Sequence, residues 1–390
     1  MLFRSDVEAG LQRAQRLDHR GGPEQLAGVG RNRPGTHGSG APMPPRPGAR
    51  LGRLSAAIVA SALVGSAFLL AGCGSPAVSG PPAGPVAYVA TVAGRAHPGN
   101  TLALVDTATS KALKSVATGS LPAAMAATPD GAHLLVADKG DNQLTEITMS
   151  TGKVTRRLTV GLEPDAVALT PDGSLALVAN FGDNTITPVS LPSMKVGPPI
   201  PVGHQPVAVT ISPNGKVAVV ADYQDGTVTP IGLPRLLPMT PLPAGPEPDA
   251  VLIGPDNSKA LVADFETSTV TAIDLSTMTV RKIIPVAGNP TGIALWKSTM
   301  IAYVSGGNSV TPLDLNDLDA GTPLPVGTTA QGLALADNGR TAWVCGGNAT
   351  LVPVNLVSGA IGRAVDVGGQ PTAVVIPAPP TTRTPPGAGS

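Results

Sequence analysis

The chain has 390 residues, 26 of them basic and 26 acidic, so its formal charge is zero; 42% are hydrophobic but only 2% aromatic. Two cysteines exclude a disulfide scaffold, and the scarcity of charge and aromatic rings excludes a nucleic-acid surface. From Cys73 onward, 17 lysines and arginines face 22 aspartates and glutamates, a mildly acidic body that would repel a phosphate backbone.

Residues 1–42 are rich in Gly, Arg and Pro without a sustained apolar period, and the composition predicts disorder. Residues 43–72 read as a secretory signal: Arg46, Arg50 and Arg53 precede the apolar run Leu54–Leu69, and Leu70-Ala71-Gly72-Cys73 closes it with small residues. That ending resembles a bacterial lipobox. The resemblance implies cleavage before Cys73, diacylglyceryl modification of its sulfur, and a protein held to the membrane from its extracytoplasmic side. The alternative is an uncleaved membrane anchor, since a run of this length nearly spans a bilayer. A signal's basic region is short, so Met43 is the expected working start, the alternative being a disordered cytosolic extension. Residues 73–85, all Gly, Ser, Pro, Ala and Val after the cysteine, form a semi-extended tether.

Residues 86–377 are one stretch written repeatedly. Its clearest copy begins at Pro164 and runs P-D-A-V-A-L-T-P-D-G-S-L-A-L-V-A-N-F-G-D-N-T-I-T-P-V-S-L. The opening proline recurs at Pro122, Pro164, Pro206, Pro248, Pro290 and Pro371, with Ala330 in its place once, at steps of 42, 42, 42, 42, 40 and 41 residues. Each copy predicts four short strands. Ala166–Leu169 is an apolar run begun by proline, and Thr170-Pro171-Asp172-Gly173 is turn chemistry. Leu175–Ala179 is a second strand, Thr185–Val189 alternates as a third, and a proline-rich fourth around Val196–Val202 is demoted to an edge. Four strands in about 42 residues is the signature of a propeller blade.

The second strands include Tyr88-Val89-Ala90-Thr91, Leu135-Val136-Ala137-Asp138, Leu177-Val178-Ala179-Asn180 and Tyr303-Val304-Ser305-Gly306, with Pro-Asp-Gly before the copies at Leu135 and Leu177 and segments such as Val270–Asp274 after them. They resemble the YVTN family of seven-bladed β-propellers. The resemblance implies an all-β ring of seven four-stranded blades. The chain departs from the pattern in keeping the tyrosine only at Tyr88 and Tyr303, and in replacing the terminal asparagine by Asp or Gly. Strand counting also closes the ring: Thr372–Ile376 is a first strand with no second after it, and Ala87–Ala90 a second with no first before it. Each should complete the other and remove an exposed edge. Residues 378–390 are a Pro-, Thr- and Gly-rich tail, expected to be disordered.

Catalytic constellations are scarce. Strand parity sets His133 on the opposite face from His97 and His204, so no three-histidine metal set is expected, and no catalytic residue, metal or cofactor is assigned. Cys345, mid-strand, is expected to be a buried small hydrophobe. Charge gathers on the face that bears the inter-blade links. Asp165 and Asp249 follow the opening prolines, Asp138, Asn180, Asp222 and Asp264 end second strands, and Phe181, Tyr223 and Phe265 occupy one equivalent position. These nine form the candidate partner-binding face, an acidic rim with exposed aromatics for a protein or cationic ligand. The competing role for the Asp and Asn residues is to start turns. The expected function is a lipid-anchored binding scaffold of the cell envelope. The alternatives are a lactonase- or lyase-type propeller enzyme, and a redox-linked propeller similar to quinoprotein subunits.

Overall fold

A computed structural model of the chain describes residues 85–92, 100–191, 193–296, 299–336 and 339–377. The expectations for the leader, Cys73, His97 and the tail fall outside those residues. The rest is seven antiparallel sheets arranged as a ring, a seven-bladed β-propeller. Blade 3 shows the plan. Pro164–Leu169, Leu175–Asn180 and Thr185–Ser190 pair in sequence, each antiparallel to the last. The fourth position is broken into Lys195–Val196 and Ile200–Pro201, which pair with the two ends of the third strand. Pro198 and Pro199, which donate nothing to the ladder, lie in this break. Blade 1 breaks at the same place without proline, into Lys111–Ala112 and Val116–Ala117, whereas blades 2 and 5 carry continuous outer strands, Lys153–Thr159 and Thr279–Pro285.

The first strands of successive blades pack side by side and form the inner wall of the ring. The seventh is Gln370–Val375 from the far end of the repeats. It pairs antiparallel with Val86–Val92, setting Tyr88 opposite Val375 and Ala90 opposite Ala373. The predicted closure is therefore the observed one.

Seven apolar clusters fill the seven inter-blade spaces, one each. Strand alternation explains this: in Leu175–Asn180, Ala176 and Val178 face blade 2, while Leu177 and Ala179 face blade 4. Both sheet faces are thus buried, which is why the second strands are almost wholly apolar rather than alternating. Alanine, valine and leucine allow the blades close approach. At about 25 cal/mol per Å² of apolar surface, the repeated small contacts do the work of aromatic bulk.

The Pro-Asp-Gly turns line one face of the ring. In blade 3 the Gly173 N–H donates to the Thr170 carbonyl at 2.9 Å, and Asp172 accepts from the Ser174 N–H at 3.0 Å. The inter-blade links and the turns between second and third strands line the other, called here the link face.

Candidate functional site

The link face is built by one clamp, repeated. Each link ends in a three-residue segment before the opening proline: Gly119-Ser120-Leu121, Gly161-Leu162-Glu163, Gly203-His204-Gln205 and Gly245-Pro246-Glu247 lead blades 2 to 5. Leu121, Glu163, Gln205 and Glu247 all have positive φ, between 50 and 55°. Residues preceding proline are ordinarily extended, so the left-handed turn is held by what it contacts. Their carbonyls accept from the N–H of Lys139, Phe181, Tyr223 and Phe265, each at 3.0 Å. A turn carboxylate grips the middle of three of the links: Asp141, Asp183 and Asp225 accept from the N–H of Ser120, Leu162 and His204 at 2.8, 2.6 and 2.8 Å. The His204 N–H holds the Asp225 carboxyl below its usual range, with help from the His204 ring.

Six of the nine rim residues are buried, four of them entirely, which corrects the expectation of an exposed acidic surface with exposed aromatics. Asp138, Asn180, Asp222 and Asp264 have no exposed area. They stand at the start of turns, where the Asn180 and Asp222 carbonyls accept from the Asn184 and Gly226 N–H at 3.1 Å, but their side chains point into the interior instead of capping them. Each shares its strand face with the residue two earlier and caps the end of the inter-blade core. Asp264 Oδ2 accepts from Thr271 at 2.6 Å and Thr269 at 3.2 Å, and its Oδ1 accepts from the Gly245 N–H at 3.0 Å. Asp222 repeats the threonine pair with Thr229 and Thr227. Asp138 takes Thr145 and, from the link, Thr118. Burial pushes all three carboxyls up, Asp222 to about 6, against the opposing pull of their threonine donors. Blades 6 and 7 dispense with the carboxylate by bringing other atoms into its place: a Cβ on Gly306 would lie 2.8 Å from the Ala287 carbonyl oxygen, and one on Gly346 would lie 2.7 Å from Thr350 Oγ1 and 2.9 Å from Thr328 Cγ2. The lopsidedness of the rim in sequence is thus two solutions to one packing problem.

The aromatics also divide. Phe181 is buried, with Lys139 Nζ 4.1 Å from its ring centre, whereas Tyr223 and Phe265 are half-buried. Asp165 is buried and Asp249 half-buried. Both sit where the register of the first and second strands shifts, a bulge that re-aims the side chain.

What the structure adds is a cavity of about 560 Å³ at the junction of blades 4 and 5, lined by Gln205, Tyr223, Gln224, Asp225, Glu247 and Glu266 among others. It opens where the clamp changes. In blades 2 and 3 the second turn residue is Gly140 or Gly182, packed onto its link; in blades 4 and 5 it is Gln224 or Glu266. Blade 5 also has Thr267 where the gripping Asp should stand and Pro246 where the N–H should be, losing donor and acceptor together. Gln205 and Gln224 were not singled out in the sequence, although the loss of the repeated glycine is a signal that would have found Gln224.

His204 lies on the link face with Nδ1 2.9 Å from Asp225, and His133 begins a strand at the opposite end of its blade, 3.7 Å from Glu146. Among the described residues no three His, Cys, Asp or Glu side chains converge as metal ligands. Cys345 is fully buried, which pushes its thiol up to about 12.

The chain matches no protein-family model and no curated protein. Among solved structures it is similar to a functionally unknown protein from Desulfotomaculum acetoxidans, with a TM-score of 0.67 and 17% identity over 75% of this chain and all of that one. It is also similar to the dihydro-heme d1 dehydrogenase NirN in complex with DHE, with a TM-score of 0.55 and 16% identity over 76% of each chain. At such identities the likeness is one of fold.

Proposed function

We propose that this protein is a lipid-anchored, extracytoplasmic propeller of the YVTN type that works as a binding scaffold, docking its partner on the link face at blades 4 and 5. The observation that carries the reading is the cavity beside Tyr223. It interrupts an otherwise repeated clamp, and it is lined by amides, carboxylates and an aromatic ring, side chains suited to recognition. A half-buried tyrosine beside polar groups supplies contact area at small entropic cost. The Leu70-Ala71-Gly72-Cys73 segment supports the anchor, and the acidic mature body suits a partner of opposite charge.

Site-specific photo-crosslinking in intact cells tests it. A crosslinker at Gln224 should give a discrete adduct, and one at Asn214 on the opposite face should not. Equal adduct patterns at both positions would refute a docking site at blades 4 and 5. Cys73→Ala should release the body from membranes and abolish acyl labelling; undiminished labelling would refute the anchor.

A further inference from the structure

The chain enters the propeller on the Pro-Asp-Gly face. Pro85 stands where Ser174 stands in blade 3: its carbonyl accepts from the Thr107 N–H at 3.0 Å, as that of Ser174 accepts from the Leu191 N–H at 3.0 Å. Residues 73–84 can span at most about 40 Å. A tether this short raises the local concentration, at whatever surface holds its far end, of the face it leaves from.

That face is basic along one arc. Lys111, Lys153 and Lys195 recur at steps of 42 residues and open the outer strands of blades 1, 2 and 3, opposite Asp106, Thr148 and Ser190 of the third strands. All three are exposed, and none forms an ion pair among the described residues. Lys216 and Arg235, also exposed, extend the arc into blade 4. Of the acids beside them, Asp106 is buried, and Asp130 and Asp172 each accept within their own turn, from the Ala132 and Ser174 N–H at 3.0 Å. The arc does not continue round the ring: in blade 6 the lysine position is Asp319, opposite Asp314 and 2.6 Å from Lys282 Nζ. At its other end, next to blade 1, Val357 of blade 7 is 73% exposed. Its turn is fixed by Asn355 Oδ1, which accepts from the Val357 and Ser358 N–H at 2.9 Å each. The link face is the reverse. It exposes Asp141, Asp183, Asp225 and Glu266, and its Lys139 lies 3.7 and 3.8 Å from the carboxylates of Glu163 and Asp165.

We infer that the Pro-Asp-Gly face of blades 7 and 1 to 4 docks on an anionic phospholipid surface, the lysine arc meeting headgroup phosphates and Val357 entering among them. The inference rests on the proposed lipid anchor and adds which way the anchor turns the body: the link face, with the blade 4–5 cavity, points away from the bilayer. A bilayer is the occupant because the tether leaves the propeller at this face and because the arc carries the charge that complements phosphate. The exposed acids of the link face are repelled by the same surface, so attraction and repulsion select one orientation.

The experiment is photo-crosslinking to lipid in vesicles. The full chain, with a crosslinker at Thr151, Ser193 or Gln224, is reconstituted into vesicles of phosphatidylcholine alone or mixed with phosphatidylglycerol, each carrying radiolabelled lipid. In the mixed vesicles Thr151 and Ser193, in the turns before Lys153 and Lys195, should give lipid adducts, and Gln224 on the link face should give few. Replacing Lys111, Lys153 and Lys195 together by Gln should lower the Ser193 adduct about tenfold or more, whereas replacing all three by Arg should preserve it. Phosphatidylcholine alone, or 0.5 M salt, should lower it as the Gln variant does. Thermal melting of each variant separates lost docking from lost folding. Equal adducts at Ser193 and Gln224, an undiminished adduct in the folded Gln variant, or equal adducts in the two kinds of vesicle would overturn the docking face. Flotation of the vesicles reads attachment and the position of the adduct reads orientation. A chain that floats with no preferred face overturns this inference and leaves the anchor standing, whereas a Cys73→Ala chain that keeps its acyl label overturns the anchor and leaves the face preference to be read from the adducts.

Discussion

Asn180 of blade 3 and Asp222 of blade 4 occupy the same position one repeat apart, and their hydrogen bonds run in opposite directions. Asn180 Nδ2 donates to Thr187 and Thr185 at 2.8 and 3.0 Å, whereas Asp222 Oδ2 accepts from Thr229 and Thr227 at 2.6 and 3.2 Å. The threonine hydroxyls serve either partner because they both donate and accept. The same buried niche is therefore filled once by a neutral amide and once by a group that must be desolvated to ionise.

Asp222→Asn should accordingly stabilise the protein at neutral pH. The folded carboxyl is pushed up to about 6, above its unfolded value, so the folded state holds the extra proton between about pH 4 and 6. Its contribution is fully present below that window and is lost as pH rises through about 6. The variant should melt a few degrees higher than the parent at pH 8, equivalent to roughly 1–3 kcal/mol, and the advantage should vanish near pH 4. A variant that melts lower at pH 8 would show that the ionised carboxylate is the better occupant.

Gly161→Ala should destabilise blade 3. A Cβ there would lie 2.5 Å from Asn180 Cγ, closer than packed atoms come. Overpacking of this kind costs on the order of 1–3 kcal/mol. Blade 6 shows the remedy, pairing Ala287 with Gly306 at the same two positions. Adding Asn180→Gly should recover part of the loss, a favourable coupling that a double-mutant cycle in urea would read. Strict additivity of the two changes would argue that the residues do not oppose each other.

Removing Pro371–Ser390 should abolish the cooperative melt or drive oligomerisation. The strand paired with Val86–Val92 would be lost, exposing the free side of blade 1 and opening the ring. Removing only residues 379–390 should leave the melting temperature within about a degree. Identical melting of both truncations and the parent would mean that the ring does not depend on its last strand.

In a Cys73→Ala background Cys345 is the only thiol. With its thiol pushed up to about 12 and no exposed area, it should resist thiol reagents in the native protein at pH 8 and react in step with unfolding in denaturant. Rapid labelling without denaturant would place an opening at the blade 7–1 interface, where Cys345 packs against blade 1.

The architecture was legible in the chain because a 42-residue period, a Pro-Asp-Gly turn and an apolar second strand are local signals, each contained within one repeat. The closure was legible too, from the odd strands at Ala87–Ala90 and Thr372–Ile376, since counting alone pairs them. Burial of Asp138, Asp222 and Asp264 was not. Alternation tells which side of a sheet a residue faces, but in a propeller both sides are covered by neighbouring blades, and whether a strand-end carboxylate meets water depends on how the preceding link folds over it. That link makes its turn at residues such as Glu247, whose positive φ precedes a proline against local preference and is held by a contact with Phe265. The cradle around Lys139 is of the same kind. Lys139 and Phe181 stand 42 residues apart, and only the ring brings the turn of one blade over the link and turn of the next, so that the Lys139 ammonium sits 3.7 Å from Glu163, 3.8 Å from Asp165 and 4.1 Å from the centre of the Phe181 ring.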